Sequence, residues 1–454
     1  MAKRLPILLR RAALFLFSAL APLAAVSPAL AQFTISLPPL PSGTSPQPFP
    51  KAEPKIFQHY PDTPSLSPIF TIPLGALGFT DPGPYYFLRR QSLVSLDFID
   101  ENRLLFTFKV PGLMDRDAGA APVGKQRRVR AEVVVLPAWH IQSDTFWTIP
   151  DSARYLWMLN DGHFLLRDEN GLEQGDANLK IAPFLHLPGS LLWLELDPSQ
   201  KIIITNSLET AAPQGPADAA APTPDPAAKD AETPKPGEPA TLVARTMQRE
   251  NGKLLKISRV PFAQQSNDLP INSEGYIESA KNGRRQWTLN LNSFTGGVRV
   301  VASVDSACAP RVSYLSDAEL LADTCDPGGG QLIAISSTGA HLWEIGNTTN
   351  AIWPLIVRSP NGSRFAQETL LLKRPVSRYK HRLLGAGDFL GQMVKVFDAA
   401  DGNVLFEAPL NPVLDGGGNV AISPSGRRIA ILNDGAIQVF ELPTPSPAPG
   451  AAKK

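Results

Sequence analysis

The feature that most constrains this chain is a recurring unit: a short apolar strand, a tight polar turn and a second apolar strand. Its clearest copy runs from Asn419 to Leu432. There Asn419-Val420-Ala421-Ile422 and Arg428-Ile429-Ala430-Ile431-Leu432 flank the turn Ser423-Pro424-Ser425-Gly426-Arg427. Earlier copies turn at Asp100-Glu101-Asn102-Arg103, Asn160-Asp161-Gly162-His163, Asp197-Pro198-Ser199-Gln200, Lys281-Asn282-Gly283, Ser316-Asp317 and Ser359-Pro360-Asn361-Gly362. Gly and Asn accept φ > 0 and Pro presets φ, so turns of this kind mark hairpins. Helical periodicity over ten or more residues is nearly absent beyond the N-terminal leader, and the chain reads as all-β.

A further strand follows most hairpins, at residues 130–136, 242–247, 298–304, 331–336, 394–398 and 436–442. After 394–398 the turn Asp398-Ala399-Ala400-Asp401-Gly402-Asn403 leads into one more strand at 404–406. Four strands per unit and about seven units predict a β-propeller of four-stranded blades, built as a single domain. A strand near residues 69–74 is expected to complete the last blade, which ties the chain ends together and removes a free sheet edge.

The segment 393–442, with VKVFDAADGNVLFEAPL, NVAISPSGRRIAILNDG and AIQVFELP, resembles a blade of the WD40-like and YVTN-type propeller repeats. SPSGRRIAIL carries the likeness, with weaker echoes in LDPSQKIIITN and RSPNGSRFAQ. Elsewhere the repeat is degenerate, and no Trp-Asp dipeptide ends the blades, so the array is not a regular WD40 one. The chain is also similar to secreted propeller-like proteins of soil bacteria. The resemblance implies a fold and an exported compartment, and no activity.

Residues 1–31 have the three-part plan of a secretory signal. Lys3, Arg4, Arg10 and Arg11 are followed by the apolar run 12–26 and by the small-residue site Ala29-Leu30-Ala31, with cleavage expected after Ala31. The apolar run is shorter than the roughly 20 residues of a bilayer span and is interrupted by Pro22. Export to the periplasm or the exterior is the expected localisation. The whole chain has 43 Lys+Arg against 42 Asp+Glu; without the leader it is 39 against 42. No basic excess remains to attract phosphate, so nucleic acid is not an expected partner. No later stretch is long enough to span a bilayer.

Three stretches lack the means to form a core. Residues 32–67 are Pro-rich and extended in character, with Phe49, Ile56, Phe57 and Tyr60 able to dock on a folded surface. Residues 211–240 are almost entirely Ala, Pro, Asp, Glu, Lys, Gly and Thr, and cannot bury enough apolar area to offset the entropy of ordering. The tail 444–454 has the same character. The propeller is thus assigned to 68–443, with 211–240 as a loop insertion between the third and fourth strands of one blade. The alternative is a linker between two sandwich domains.

Signals for chemistry are sparse. Two cysteines, Cys308 and Cys325, are close in sequence and are expected to form a disulfide in an oxidising compartment. His59, His140, His163, His186, His341 and His381 are not paired at ligand spacing, and neither H-E-x-x-H nor G-x-S-x-G occurs. Gly328-Gly329-Gly330 and Gly416-Gly417-Gly418 read as loops. Asp97, Asp100, Asp161, Asp197 and Asp317 recur with the hairpins and read first as turn residues; the sharper reading has them converge on one channel mouth around a cation. Trp139, Trp147, Trp157, Trp193, Trp287, Trp343 and Trp353 are expected mostly to pack between blades, a few of them lining a binding face. No cofactor or metal site is expected and no catalytic residue is assigned. The chain reads as a non-catalytic binding or scaffold protein for a protein or glycan partner. The alternative is a propeller enzyme with a metal or quinone at the central channel.

Overall fold

The computed structural model describes residues 66–80, 94–109, 126–150, 154–168, 171–210, 240–261, 270–326, 329–379, 384–414 and 416–444. The expected signal peptide, nearly all of the Pro-rich segment 32–67, residues 211–239 of the insertion and the tail from 445 lie outside the described residues. Among the described residues the chain forms seven antiparallel sheets. Blade 1 spans 94–150, blade 2 156–186, blade 3 190–261, blade 4 275–305, blade 5 311–346 and blade 6 351–410. Blade 7 joins 420–441 to the strand Phe70–Pro73. In blades 1 to 6 spatial order follows chain order, because each connection, whether a tight turn or a longer loop, returns the chain beside the strand it has just made.

Seven apolar clusters each link one blade to the next. Leu96 and Phe106 of blade 1 share a core with Ala430 and Ile437 of blade 7. Trp147 of blade 1 lies 5.2 Å from Phe164 of blade 2, ring to ring. Leu165 of blade 2 joins Leu194 of blade 3, and Ile204 of blade 3 joins Tyr276 of blade 4. Leu289 of blade 4 joins Leu320 of blade 5. Trp343 of blade 5 stacks on Phe365 of blade 6 at 6.0 Å, and Phe406 of blade 6 meets Phe440 of blade 7 at 4.6 Å. Seven sheets joined in a cycle by seven cores form a closed seven-bladed β-propeller. Each strand between two cores is buried on both faces, which is why Arg103–Phe108 and Arg428–Asn433 read as nearly unbroken apolar runs. A fully buried Leu or Phe contributes about 1.5–3 kcal/mol, so stability is spread around the ring.

The ring closes where the sequence places the closure. Phe70–Pro73 pairs antiparallel with Ala436–Glu441, with Phe70 opposite Val439 and Ile72 opposite Ile437. Ile72 is fully buried. A short 3-10 turn, Leu74–Leu77, follows and buries Leu74 and Leu77 in the same core.

Blade 4 differs. Six blades have four strands; blade 4 has three among the described residues, Gly275–Lys281, Gln286–Ser293 and Val298–Asp305. Residues 306–310 then lead directly into Arg311–Ser316, the first strand of blade 5, leaving too few residues to form an outer strand and also cross to the axis. This crossover carries Cys308, which is bonded to Cys325 just after the second strand of blade 5, Glu319–Asp323. Beside it, the Ala307 N–H donates to the Cys325 carbonyl at 2.9 Å.

One sequence expectation needs correction, and one strand is not anticipated by the sequence. The insertion does not separate a third strand from a fourth. It joins the second strand of blade 3, Ile202–Thr210, to the third, Ala240–Gln248, whose last paired residues are Thr210 and Ala240. The hairpin that turns at Asp197 supplies the first two strands of blade 3, Ser190–Leu196 and Ile202–Thr210, because the preceding strand Ile181–His186 pairs with Gly171–Gly175 as the outer strand of blade 2. Blade 2 also has a third strand, Gly171–Gly175, that carries no β-branched residue. Its glycines answer to space: a Cβ on Gly171 would lie 2.1 Å from the Leu185 carbonyl oxygen, and one on Gly175 2.1 Å from the Phe164 ring.

Candidate functional site

The turns between first and second strands gather on one face of the ring. Three share a single hydrogen-bond plan. At Asp197, Ser359 and Ser423 the residue's own N–H bonds the carbonyl five residues on, and its side-chain oxygen accepts the N–H of that same residue. The fourth residue takes φ of +57° at Gln200, +71° at Gly362 and +72° at Gly426, and returns its N–H to the first residue's carbonyl. This is the geometry behind the DPSQ, SPNG and SPSG echoes.

The same turns tie neighbouring blades together. Gln200 of blade 3 accepts the Asn160 N–H at 2.6 Å and donates to the Met158 carbonyl at 2.9 Å in blade 2. Asn361 of blade 6 donates to the Ser425 carbonyl of blade 7 at 2.8 Å. Ser425 in turn donates its N–H to the Glu101 carboxylate of blade 1 at 2.6 Å, and Arg428 donates to the Glu101 carbonyl at 2.7 Å.

First strands of adjacent blades touch, so they line the axis. At the turn-side mouth Arg358, the last residue of the first strand of blade 6, reaches the Asp197 carbonyl of blade 3 at 3.4 Å. Blades 3 and 6 are not neighbours, so this guanidinium spans the channel. Burial pulls its pKa below the usual value, while Glu195, Asp197 and Asp317 hold it up and Arg154 opposes them. Its Nη1 is buried and has no hydrogen-bond partner among the described residues. In the first strand of blade 1, burial pushes the Asp97 carboxyl up to about 6, resisted by the Ser95 hydroxyl at 2.5 Å and by Arg154.

The acidic turn residues do not converge on a cation site. Asp100 is paired with Arg103 at 2.6 Å, and Asp161 with Arg249 at 3.1 Å and His163 at 3.2 Å. Asp197 is buried and bonded to its own turn, and Asp317 accepts the Ser273 N–H of blade 4 at 3.3 Å. No group of three or more His, Cys, Asp or Glu side chains among the described residues is arranged to hold a metal. His140 and His186 are exposed, and His341 pairs with Glu344 at 3.3 Å. His59 and His381 lie outside the described residues. Gly417 and Gly418 lie in the loop leading into blade 7, and Gly329 and Gly330 between the second and third strands of blade 5.

Two buried glutamates carry no sequence signal. Glu368 of blade 6 accepts a hydrogen bond from the Gln392 amide at 3.2 Å, and burial pushes its carboxyl up to about 8. The Gln392 amide oxygen accepts from the Leu414 N–H and the Asn419 amide, both at 2.9 Å, which pins the loop that leads into blade 7. Glu132 of blade 1 is fully buried beside Arg130 at 2.9 Å; burial pushes it up to about 7, against the pull of Arg130. These residues are distant in sequence or masked by apolar neighbours, so only the fold brings them together.

The tryptophans separate into two kinds, apart from Trp353, whose side chain lies outside the described residues. Trp147, Trp157, Trp287 and Trp343 are buried, and Trp193 packs partly buried against Ile204. Trp139 instead lies in the turn after the third strand of blade 1 and is 43 % exposed, beside Ile141 at 40 %. Its φ is +42°, a conformation that a bulky L-residue adopts only under strain. This turn lies on the same face as the first-to-second-strand turns, because the Leu136 N–H donates to the Asn102 carbonyl at 2.7 Å. The face therefore combines a rigid, cross-linked ring of turns with an outward-held aromatic side chain.

No protein-family model matches the chain, and no curated protein matches it. Among solved structures, the C-terminal WD40 domain of Sif2 is similar over 84 % of this chain and 99 % of that one, at 10 % identity and a TM-score of 0.41. The uncomplexed acylaminoacyl peptidase of Pyrococcus horikoshii is similar over 81 % of this chain and 54 % of that one, at 10 % identity and a TM-score of 0.43. TolB from Acinetobacter baumannii covers 70 % of this chain and 77 % of its own, at 11 % identity and a TM-score of 0.34. The seven-bladed propeller architecture stands on the seven sheets, their strand order and the seven shared cores.

Proposed function

We propose that this chain is an exported, non-catalytic propeller that acts as a binding or scaffold protein for a protein or glycan partner. The observation that carries the reading is Trp139: an aromatic side chain held outward on the turn face, in a strained backbone conformation, next to exposed Ile141. Exposed aromatic residues on rigid supports are the usual anchors of such faces, because burying them on binding costs little ordering entropy. The leader at 1–31 and the disulfide between Cys308 and Cys325 support an oxidising compartment outside the cytoplasm. Among the described residues no helix is long and apolar enough to cross a membrane.

The test is a screen of the purified protein against a glycan array and against the exported proteins of its host, with Trp139→Ala in parallel. A partner bound by the wild type and weakened about 30-fold or more by Trp139→Ala supports the reading. A stoichiometric metal or quinone in the purified protein, together with turnover and no macromolecular partner, sinks it.

A further inference from the structure

Among the described residues blade 4 presents its third strand, Val298–Asp305, as a sheet edge where six other blades carry a fourth strand. The edge contains no Pro and no Lys; its charges are engaged, Arg299 with Glu274 at 3.2 Å and Asp305 with Arg285 at 2.7 Å, and Val298 and Val300 are 47 % and 42 % exposed. A second observation comes from the sequence. Residues 32–40 read QFTISLPPL, and residues 69–77 read IFTIPLGAL. Phe33, Thr34, Ile35, Leu37 and Leu40 are identical to Phe70, Thr71, Ile72, Leu74 and Leu77. In the second copy these residues form an outer strand and the turn after it, with Ile72, Leu74 and Leu77 buried and Phe70 packed against the same core. The first copy alternates apolar Phe33, Ile35 and Leu37 with polar Thr34 and Ser36, the period of a half-buried strand.

We propose that residues 33–37 are a second outer-strand element and supply the missing fourth strand of blade 4, pairing antiparallel with Val298–Asp305. Blade 7's outer position is already filled by Phe70–Pro73, which leaves blade 4 as the blade without an outer strand among the described residues. The tether is long enough. Residues 38–65 number 28, and at about 3.1 Å per residue a Pro-rich chain of that length reaches roughly 85 Å. A domain of this size is only about 50 Å across. The added strand would cover Val298 and Val300 and satisfy the edge's backbone groups, as happens when an extended peptide joins a sheet edge.

Hydrogen–deuterium exchange on the purified protein, compared with Ile35→Asp, tests this. The expected result is that amides within 298–305 are protected in the wild type and exchange about tenfold faster or more in the variant, while those within 436–441 are unchanged. The melting temperature of the ring serves as the folding control. Equal exchange of 298–305 in both proteins overturns the proposal. So does a change confined to 436–441, which would mean that the first copy competes for blade 7. Protection of 298–305 that disappears on dilution would assign the edge to a second copy of the chain and overturn it as well.

Discussion

Blade 7 takes its outermost strand from the opposite end of the chain, whereas blade 4 has three strands among the described residues and its exit is fastened to blade 5 by a disulfide. In blade 7, residues more than 360 apart in sequence pair, as Phe70 does with Val439. That closure orders a great length of chain at once, and it is sustained by burying Ile72, Leu74 and Leu77 in a core shared with blade 1. In blade 4 the contact is local. Cys308 and Cys325 are 17 residues apart and join a short crossover to the next blade. The ring thus depends on burial where the closure is distant in sequence, and on a covalent bond where the sheet is thin. Breaking one should affect the whole ring, and breaking the other its neighbourhood.

The largest effect is expected from Ile72→Asp. Placing a carboxylate in a fully buried site of the closing strand should cost more than about 5 kcal/mol and abolish cooperative unfolding at room temperature. Urea titration followed by tryptophan fluorescence reads it directly. Near-native stability would show that the ring holds without its N-terminal strand.

A smaller effect concerns pH. The two glutamates pushed furthest up, Glu368 to about 8 and Glu132 to about 7, sit in blades 6 and 1, on either side of blade 7. Their folded pKa values lie above the ordinary carboxyl value, so the folded state favours their protonated forms. Their contribution is fully present below about pH 4.5 and is lost as pH rises through 7 to 8. For Glu368 the swing is at most about 5 kcal/mol. Glu368→Gln should flatten the fall in melting temperature between pH 5 and 9; an unchanged slope would remove Glu368 as its source.

The smallest expected effect is at blade 4. Replacing both cysteines with serine should cost about 3 kcal/mol in the chain-entropy picture. Exchange should quicken around 306–326 first, with the blade 7 strands unaffected. Global loosening would show that the two regions are less independent than their construction implies.

Much of the ring is legible in the sequence because the turns announce themselves. Asp197, Ser359 and Ser423 open turns whose bonding is identical, and each turn sits between strands that are apolar on both faces. What is hidden follows from geometry. Gly171–Gly175 has almost no strand propensity and exists because its neighbours demand the absence of side chains. Outer strands such as His140–Pro150 are buried on one face only and blend into loops. Trp139 looks like six other tryptophans until its turn is seen to point it away from every core. Arg358 lies 161 residues from Asp197, and Gln392 unites Glu368 and Asn419 across blades 6 and 7. No local pattern encodes a meeting at the axis.

The placement of the insertion has a practical consequence. Thr210 and Ala240 form the last rung of a continuous ladder between two strands that together pair nine residues deep. Whatever is spliced between them hangs from a sheet already complete. A fluorescent reporter, an affinity handle or a surface tether in place of 211–239 should therefore ride on the ring as cargo, and this is also where new chain ends would be accepted if the protein were circularly permuted.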